Sequence, residues 1–280
     1  MGTPQLEFDS DVEGRIYRYV ERHGSATREE VRDEVRVEET AGAKPPRSGT
    51  ESPARLPVAE FNEYIDDLLE SGPLTERDGR LYVEPDEETE IHETDGFEYV
   101  VRPADEDDRE AIAARIREVA DEGAIVVDER VADAIEQEGA LIRLNERESR
   151  MFFVAEIRPA GGESAGDESE DRESEREIVG WVHVHGFELP ARSHTAELTV
   201  GVAPEYRENG IGGTLLERGI SWGDDEDCIK VYQSLPATND AALDMLDEHG
   251  WEREATRADH YEVEGELVDE VQMAKRLDGE

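Results

Sequence analysis

TAELTVGVAPEYRENGIGGT, spanning Thr195 to Thr214, changes character twice. It opens by alternation: Leu198, Val200 and Val202 point one way, and Glu197, Thr199 and Gly201 the other. That is the period of a strand. Pro204 ends it, the glycine-rich run Arg207 to Gly213 follows, and Leu215, Leu216 and Ile220 then recur at helical spacing. A strand that passes through a glycine-rich turn into a helix leaves several backbone N–H groups unpaired at the positive end of the helix dipole. Such a place suits a phosphate or pyrophosphate. A Cβ at Gly210 or Gly212 is expected to block the anion's approach to the backbone.

Three anion-binding patterns compete for this stretch. A Walker A loop needs a lysine after its glycines, and none follows here. A dinucleotide turn wants an acid at the end of the next strand, and the strand Lys230 to Leu235 has none there. The third pattern is Arg207-x-x-Gly210-x-Gly212 after a strand ending Val202-x-Pro204. It resembles the acetyl-CoA-binding motif of the GNAT N-acetyltransferase superfamily. The sequel supports it: Asn239-x-x-Ala242, then Gly250-Trp251, then a closing strand ending Met273-Ala274-Lys275-Arg276-Leu277. The resemblance covers roughly Phe97 to Leu277.

That resemblance implies an α/β (α+β) domain with a mixed central sheet flanked by helices, and acetyl-CoA as acyl donor. It assigns the cofactor to Arg207, Asn209, Gly210, Ile211, Gly212, Gly213 and Thr214, largely through backbone N–H groups. Val200 and Val202 lend backbone groups to the pantetheine and the thioester carbonyl, an oxyanion-hole role. Asn239 matches a position near the cofactor arm. Glu208 departs from the small or basic residue usual beside the phosphates, and is expected to point away or to weaken binding at low salt.

For the catalytic base the resemblance favours Glu197, early on the central strand, with His183, His185 and His194 as alternates. On a regular strand Glu197 is equally an ordinary solvent-facing residue. The family often carries a tyrosine acid four residues before the helix-ending glycine, where this chain has Leu246. Tyr232 and Tyr261 are then the candidate proton donors, with a structural role the alternative for either. His183-x-His185 puts two imidazoles on one strand face, but no carboxylate or cysteine partner stands at a recognisable metal spacing, so no metal is expected. Cys228 lies among acids that raise its thiol pKa, which argues against an acyl-enzyme.

Composition narrows the setting. Of 280 residues, 74 are acidic and 30 basic, a net charge of −44, and only Lys44, Lys230 and Lys275 are lysines. At molar salt the Debye length falls to about 3 Å, so dense carboxylates repel little. A lysine-poor, acid-rich surface resembles halophile proteins, and a halophilic archaeal type is the expectation. The charge argues against nucleic-acid binding as the main activity. One cysteine fits a reducing, cytoplasmic setting, and no apolar run is long enough to span a bilayer.

Taken in order, residues 1–84 predict a separate winged-helix-like domain. Val12, Ile16, Tyr17 and Val20 mark a first helix ending near Gly24, and Thr27-x-x-Glu30 is a capping box that opens a second. Residues 38–56 read as a mobile loop. Phe61, Tyr64, Ile65, Leu68 and Leu69 line a third helix, and Asp78-Gly79 sits at a hairpin turn. That third helix carries Glu60, Glu63, Asp66, Asp67 and Glu70, which would repel phosphates, so a docking or dimerisation module is preferred to DNA binding. Residues 85–96 read as an acidic linker and 97–280 as the catalytic domain. A further helix is expected around Val131 and Ile135, and an acidic mobile insert at 160–177. The expected function is acetyl transfer to a primary amine (a small amine, a protein N-terminus or a lysine) by direct attack. The alternative is an acyl-CoA-sensing regulator whose first domain binds DNA or a protein. Homodimerisation is left open.

Overall fold

The computed structural model describes residues 8–37, 54–121, 132, 135, 140–144, 149–157, 177–186, 190–263 and 265–278. These fall into two compact units, Leu6–Asp86 and Glu87–Glu280. The expected loop at 38–56 lies largely outside the described residues, as do the insert at 160–177 save Glu177, and Val131; Ala132 and Ile135 are helical.

In the first unit, helix α1 (Asp11–His23) starts at a capping box of Ser10 and Glu13 and stops at Gly24, whose φ is +74°. Strand β1 (Ser25–Thr27) leads into α2 (Arg28–Glu34), opened by the Thr27–Glu30 capping box. Strands β2 (Arg36–Val37) and β3 (Ala54–Arg55) form a short pair. Helix α3 (Val58–Glu70) buries Phe61, Ile65 and Leu68. Strands β4 (Leu74–Arg77) and β5 (Arg80–Val83) form the hairpin, with positive φ at both Asp78 and Gly79, as a type I′ turn demands. β1 joins β5 to complete a three-stranded sheet. The core is Ile16, Tyr17, Val20, Val31, Phe61, Ile65, Leu68 and Leu81 with their neighbours. The five acids of α3 are all exposed.

The second unit is built on a nine-stranded sheet. Its strands are β6 (Glu90–Glu93), β7 (Glu98–Pro103), β8 (Arg143–Leu144), β9 (Ser149–Ile157), β10 (Glu177–Gly186), β11 (Thr195–Val202), β12 (Lys230–Pro236), β13 (Glu252–Val263) and β14 (Glu266–Arg276). Helices α4 (Arg109–Asp121), α5 (Ile211–Asp225) and α6 (Asp240–Glu248) complete it. The order is β13-β14-β12-β11-β10-β9-β7-β6, with β8 beside β9. All pairs are antiparallel except β11 with β12. The mixed sheet flanked by helices is the architecture expected.

One expectation is corrected. The segment read as a linker contains β6, paired with β7 from Glu90↔Val101 to Glu93↔Glu98. Arg218 of α5 explains it: this largely buried guanidinium lies 4.5 Å from the Phe153 ring centre and pairs with Glu87 and Glu90. The acids are drawn in as partners for a buried cation.

α5 is held unusually close to the sheet. A Cβ at Gly219 would come within 2.9 Å of both Leu198 and Val182, so glycine there lets helix and strands touch. Across the sheet, Arg102 ties the fully buried Glu156 to Asp108, at 2.7 and 2.6 Å.

Candidate active site

β11 and β12 share only three rungs, Thr195↔Lys230, Ala196↔Val231 and Glu197↔Tyr232. Beyond them the strands part. β11 keeps β10 on its other side and β12 keeps β14, but among the described residues no strand pairs with the edge of β11 that turns to β12 past Glu197. The result is a wedge in the sheet whose β11 side is the backbone from Leu198 to Val202.

The glycine turn lies just beyond. Pro204–Tyr206 form one 3-10 turn, and Gly210, with φ +82°, is the N-cap of α5 without a side-chain cap. Among the described residues, no amide from Glu208 to Gly213 donates to a protein acceptor; Thr214 N is the first to do so, bonding Gly210 O at 3.1 Å. These unengaged amides gather at the positive end of a fifteen-residue helix.

The reason for the glycines differs in part from expectation. At Gly210 a Cβ would meet nothing within 4 Å; the positive φ makes it glycine. At Gly212 a Cβ would press on Met245 Sδ at 3.2 Å, and at Gly213 on His249 Nε2 at 3.0 Å. Those two glycines let α6 pack against the head of α5.

The polar side chains of the turn hold it in shape. Arg207 Nε donates to Val202 O at 2.9 Å, and Asn209 Nδ2 to the carbonyls of Tyr206 and Arg207 at 3.2 and 2.9 Å. Thr214 Oγ1 bonds Gly210 O and meets the Tyr99 hydroxyl at 2.9 Å. Glu208 is exposed, with φ +63°. Asn239 caps α6, its Oδ1 accepting from Ala242 N at 3.1 Å.

On the face away from Leu198 a polar row crosses the sheet at one register: Arg150, His185, Glu197, Tyr232. Burial holds the Glu197 carboxyl above the ordinary range, opposed by Arg192 and reinforced by Glu270. Arg192 Nη2 donates to Tyr232 Oη at 2.6 Å. Tyr261 Oη donates to Glu270 Oε1 at 3.0 Å, and Arg257 Nε pairs with the other oxygen of Glu270 at 2.7 Å. All three candidate catalytic residues thus fall in one electrostatic neighbourhood, because Tyr232 and Tyr261 both feel Glu197.

The histidine alternates separate. His185 stands beside Glu197 in the row. His183 is half-buried and stacked on Phe152 at 4.3 Å, and burial, then His185 and Arg150, push its pKa well below the usual value. His194 is exposed, and its carbonyl accepts from the amides of Ile229 and Lys230. Among the described residues no group of three His, Cys, Asp or Glu is arranged to hold a metal. Cys228 is pushed up to about 11 by burial, then Glu226 and Asp227. Leu246 is fully buried.

Two members of this neighbourhood escaped the sequence reading. Glu270 had no signal of its own, because the same strand also carries Glu266 and Asp269 and only the fold buries Glu270. Arg192 had none, because only the tertiary fold brings it to Tyr232.

The profile of the acetyltransferase (GNAT) family matches residues 73–251. The chain belongs to that family. Similar solved structures include yncA, a putative acetyltransferase from Salmonella typhimurium solved with its cofactor acetyl-CoA. It is 17% identical, covering 65% of this chain and 95% of that one, with a TM-score of 0.50. A GNAT-family acetyltransferase from Streptococcus pneumoniae is 17% identical over 64% of this chain and 99% of that one, with a TM-score of 0.49. The ribosomal-protein-alanine N-acetyltransferase of Brucella melitensis is 20% identical over 63% and 98%, with a TM-score of 0.43. At 17% identity the likeness to yncA is one of fold. No curated protein matches this acetyltransferase by sequence. Among its described residues no helix is long and apolar enough to cross a membrane.

Proposed function

We propose that this acetyltransferase moves an acetyl group from acetyl-CoA to a primary amine, by direct attack and without an acyl-enzyme. The observation that carries the proposal is the set of amides from Glu208 to Gly213 with no protein acceptor, at the head of α5 and beside the wedge. They fit a diphosphate, since each offers a donor without first breaking a protein bond, and the helix dipole adds to the attraction. Arg207, Asn209 and Thr214 support this by fixing the turn, and Ile211, Gly212 and Gly213 by their amides. The open edge of β11, with Val200 and Val202, would hold the pantetheine arm. Asn239, occupied as a cap, keeps a structural role.

When bound, acetyl-CoA supplies the activated acyl carbon. The chain's own part is to orient the acceptor and manage its protons. Glu197 is our base: half-buried on the face opposite α5, its carboxyl held at a pKa nearer neutrality, which suits a group that must take a proton from an ammonium. The acceptor is a small amine, a protein N-terminus or a lysine. Residues Leu6–Asp86 we read as a winged-helix-like docking module rather than a nucleic-acid reader. Three helices with a hairpin support the first part, and the exposed acids of α3 the second. The salt-adapted surface belongs to the same reading.

Thiol release from acetyl-CoA by the full chain in molar KCl, across amines and peptides, tests the function. Calorimetry of CoA binding runs beside it. Turnover with at least one amine class is the expected result; no affinity for CoA overturns the proposal.

A further inference from the structure

Two phenols share the neighbourhood of Glu197, and their hydrogen bonds run in opposite senses. At Tyr232 the oxygen receives a bond from the Arg192 guanidinium, 2.6 Å away. At Tyr261 the hydroxyl gives its bond to the Glu270 carboxylate, 3.0 Å away. A phenol that releases its proton becomes an anion, and the charge bonded to its oxygen decides whether that anion is tolerated. A guanidinium is always positive and stabilises it. A carboxylate repels it. Glu270 is 4% exposed, and Arg257, paired with its other oxygen, offsets that repulsion only in part: the carboxylate and not the guanidinium is what the Tyr261 oxygen bonds.

Position separates the two phenols further. Tyr232 stands on the last shared rung of β11 and β12, where the wedge opens. Tyr261 reaches its partner from β13 across an irregularity, where Ala258 to His260 bulge out between the rungs Arg257↔Glu270 and Tyr261↔Val268. The position at which the family resemblance places an acid holds the sealed Leu246.

We propose that Tyr232 is the proton donor to the departing thiol, with Arg192 as its positioning residue, and that Tyr261 instead braces Glu270. This rests on the acetyl-transfer reading above. Glu197 removes one proton from the acceptor ammonium. Tyr232 delivers its proton to sulfur as the carbon–sulfur bond breaks and the carbon–nitrogen bond forms, while Arg192 holds the phenolate. The second nitrogen proton restores Tyr232, the proton on Glu197 leaves to solvent, and one proton is released per turnover. Burial and Glu197 push the Tyr232 phenol up to about 12 against the pull of Arg192, so it carries its proton at neutral pH. Lys230 also approaches the ring, its Nζ lying 5.8 Å from the ring centre and bonding Glu254.

The test compares acetyl-CoA with its selenium analogue in the full chain. A selenol is a stronger acid than a thiol, so its anion leaves without help. Tyr232→Phe is expected to lose on the order of 10²-fold in kcat with the thioester and to recover most of that with the selenoester. Arg192→Gln, at an exposed residue, should show a smaller loss with the same recovery, and it carries the test should the phenylalanine variant fail to fold. Whatever Tyr261→Phe loses should be equal for both donors. A Tyr232→Phe or Arg192→Gln deficit independent of the donor overturns the assignment, as does recovery in Tyr261→Phe. No release by the wild type with any amine overturns the acetyl-transfer reading itself, and the assignment with it.

Discussion

Glu197 and Tyr232 stand opposite each other on the last rung that β11 and β12 share. Directly paired residues project to the same face of a sheet, so the Glu197 carboxyl and the Tyr232 phenol lie on one face at the vertex of the wedge. Burial raises the pKa of both.

Glu197→Gln removes the proposed base. We expect kcat to fall by about 10²- to 10³-fold while CoA affinity, measured by calorimetry, stays unchanged. A base works only when ionised, so the wild-type rate declines as pH falls through the raised pKa of Glu197. The acid limb should therefore lie above the ordinary carboxylate range. Arg192 lowers that pKa, so Arg192→Gln should move the limb to higher pH. A limb that stays put in the pH–rate profile refutes the link.

Glu208 places a carboxylate beside the amides that are to receive a diphosphate. Salt screens that repulsion. CoA affinity of the wild type should therefore rise with KCl, the reverse of the usual trend for an anionic ligand. Glu208→Gln, which keeps the side-chain size, should bind more tightly at low salt and depend less on it. Titrations from low to molar KCl decide this.

Gly210→Ala forces a side chain into the left-handed region. The expected loss is about 1–2 kcal/mol of stability, read by denaturant titration, with weaker CoA binding as the turn relaxes. Gly213→Ala should perturb the packing of α6 as well, because its Cβ points at His249.

Glu226 is pushed up to about 8 by burial, then by Glu87, Asp225 and Asp227. Its folded-state pKa exceeds its unfolded one, so the native state binds the extra proton. Stability from this group is complete below the unfolded carboxylate range and is lost as pH rises to about 8. Glu226→Gln stays neutral throughout. It should match the wild type near pH 4 and exceed it at pH 8 in denaturation curves at fixed salt; equal stabilities at both would refute this.

The central unit was legible because its signals are local. Alternation in Thr195–Val202, the breaker Pro204 and the glycines before Leu215 each act within a few residues, and the capping box at Thr27 does the same. What stayed hidden depends on distance in sequence. β6 pairs with β7, while Glu90 within it and Glu87 just before it meet Arg218, more than a hundred residues later. Gly212 reads as a glycine kept open for a ligand; the fold shows that a Cβ there would instead press on Met245. Arg192 is an unremarkable loop residue until the fold sets it against Tyr232. His183 and His185 are two residues apart and read alike; only the fold stacks one of them on Phe152.

The three rungs between β11 and β12 have a mechanical consequence. A nine-stranded sheet fastened across its middle by so short a seam behaves as two leaves, β6 to β11 and β12 to β14. Few backbone bonds join the leaves, so it is the shared side-chain core, from Val182 and Leu198 to Val231 and Val271, that holds one against the other. Amides along that seam should exchange with deuterium sooner than those at the centre of either leaf.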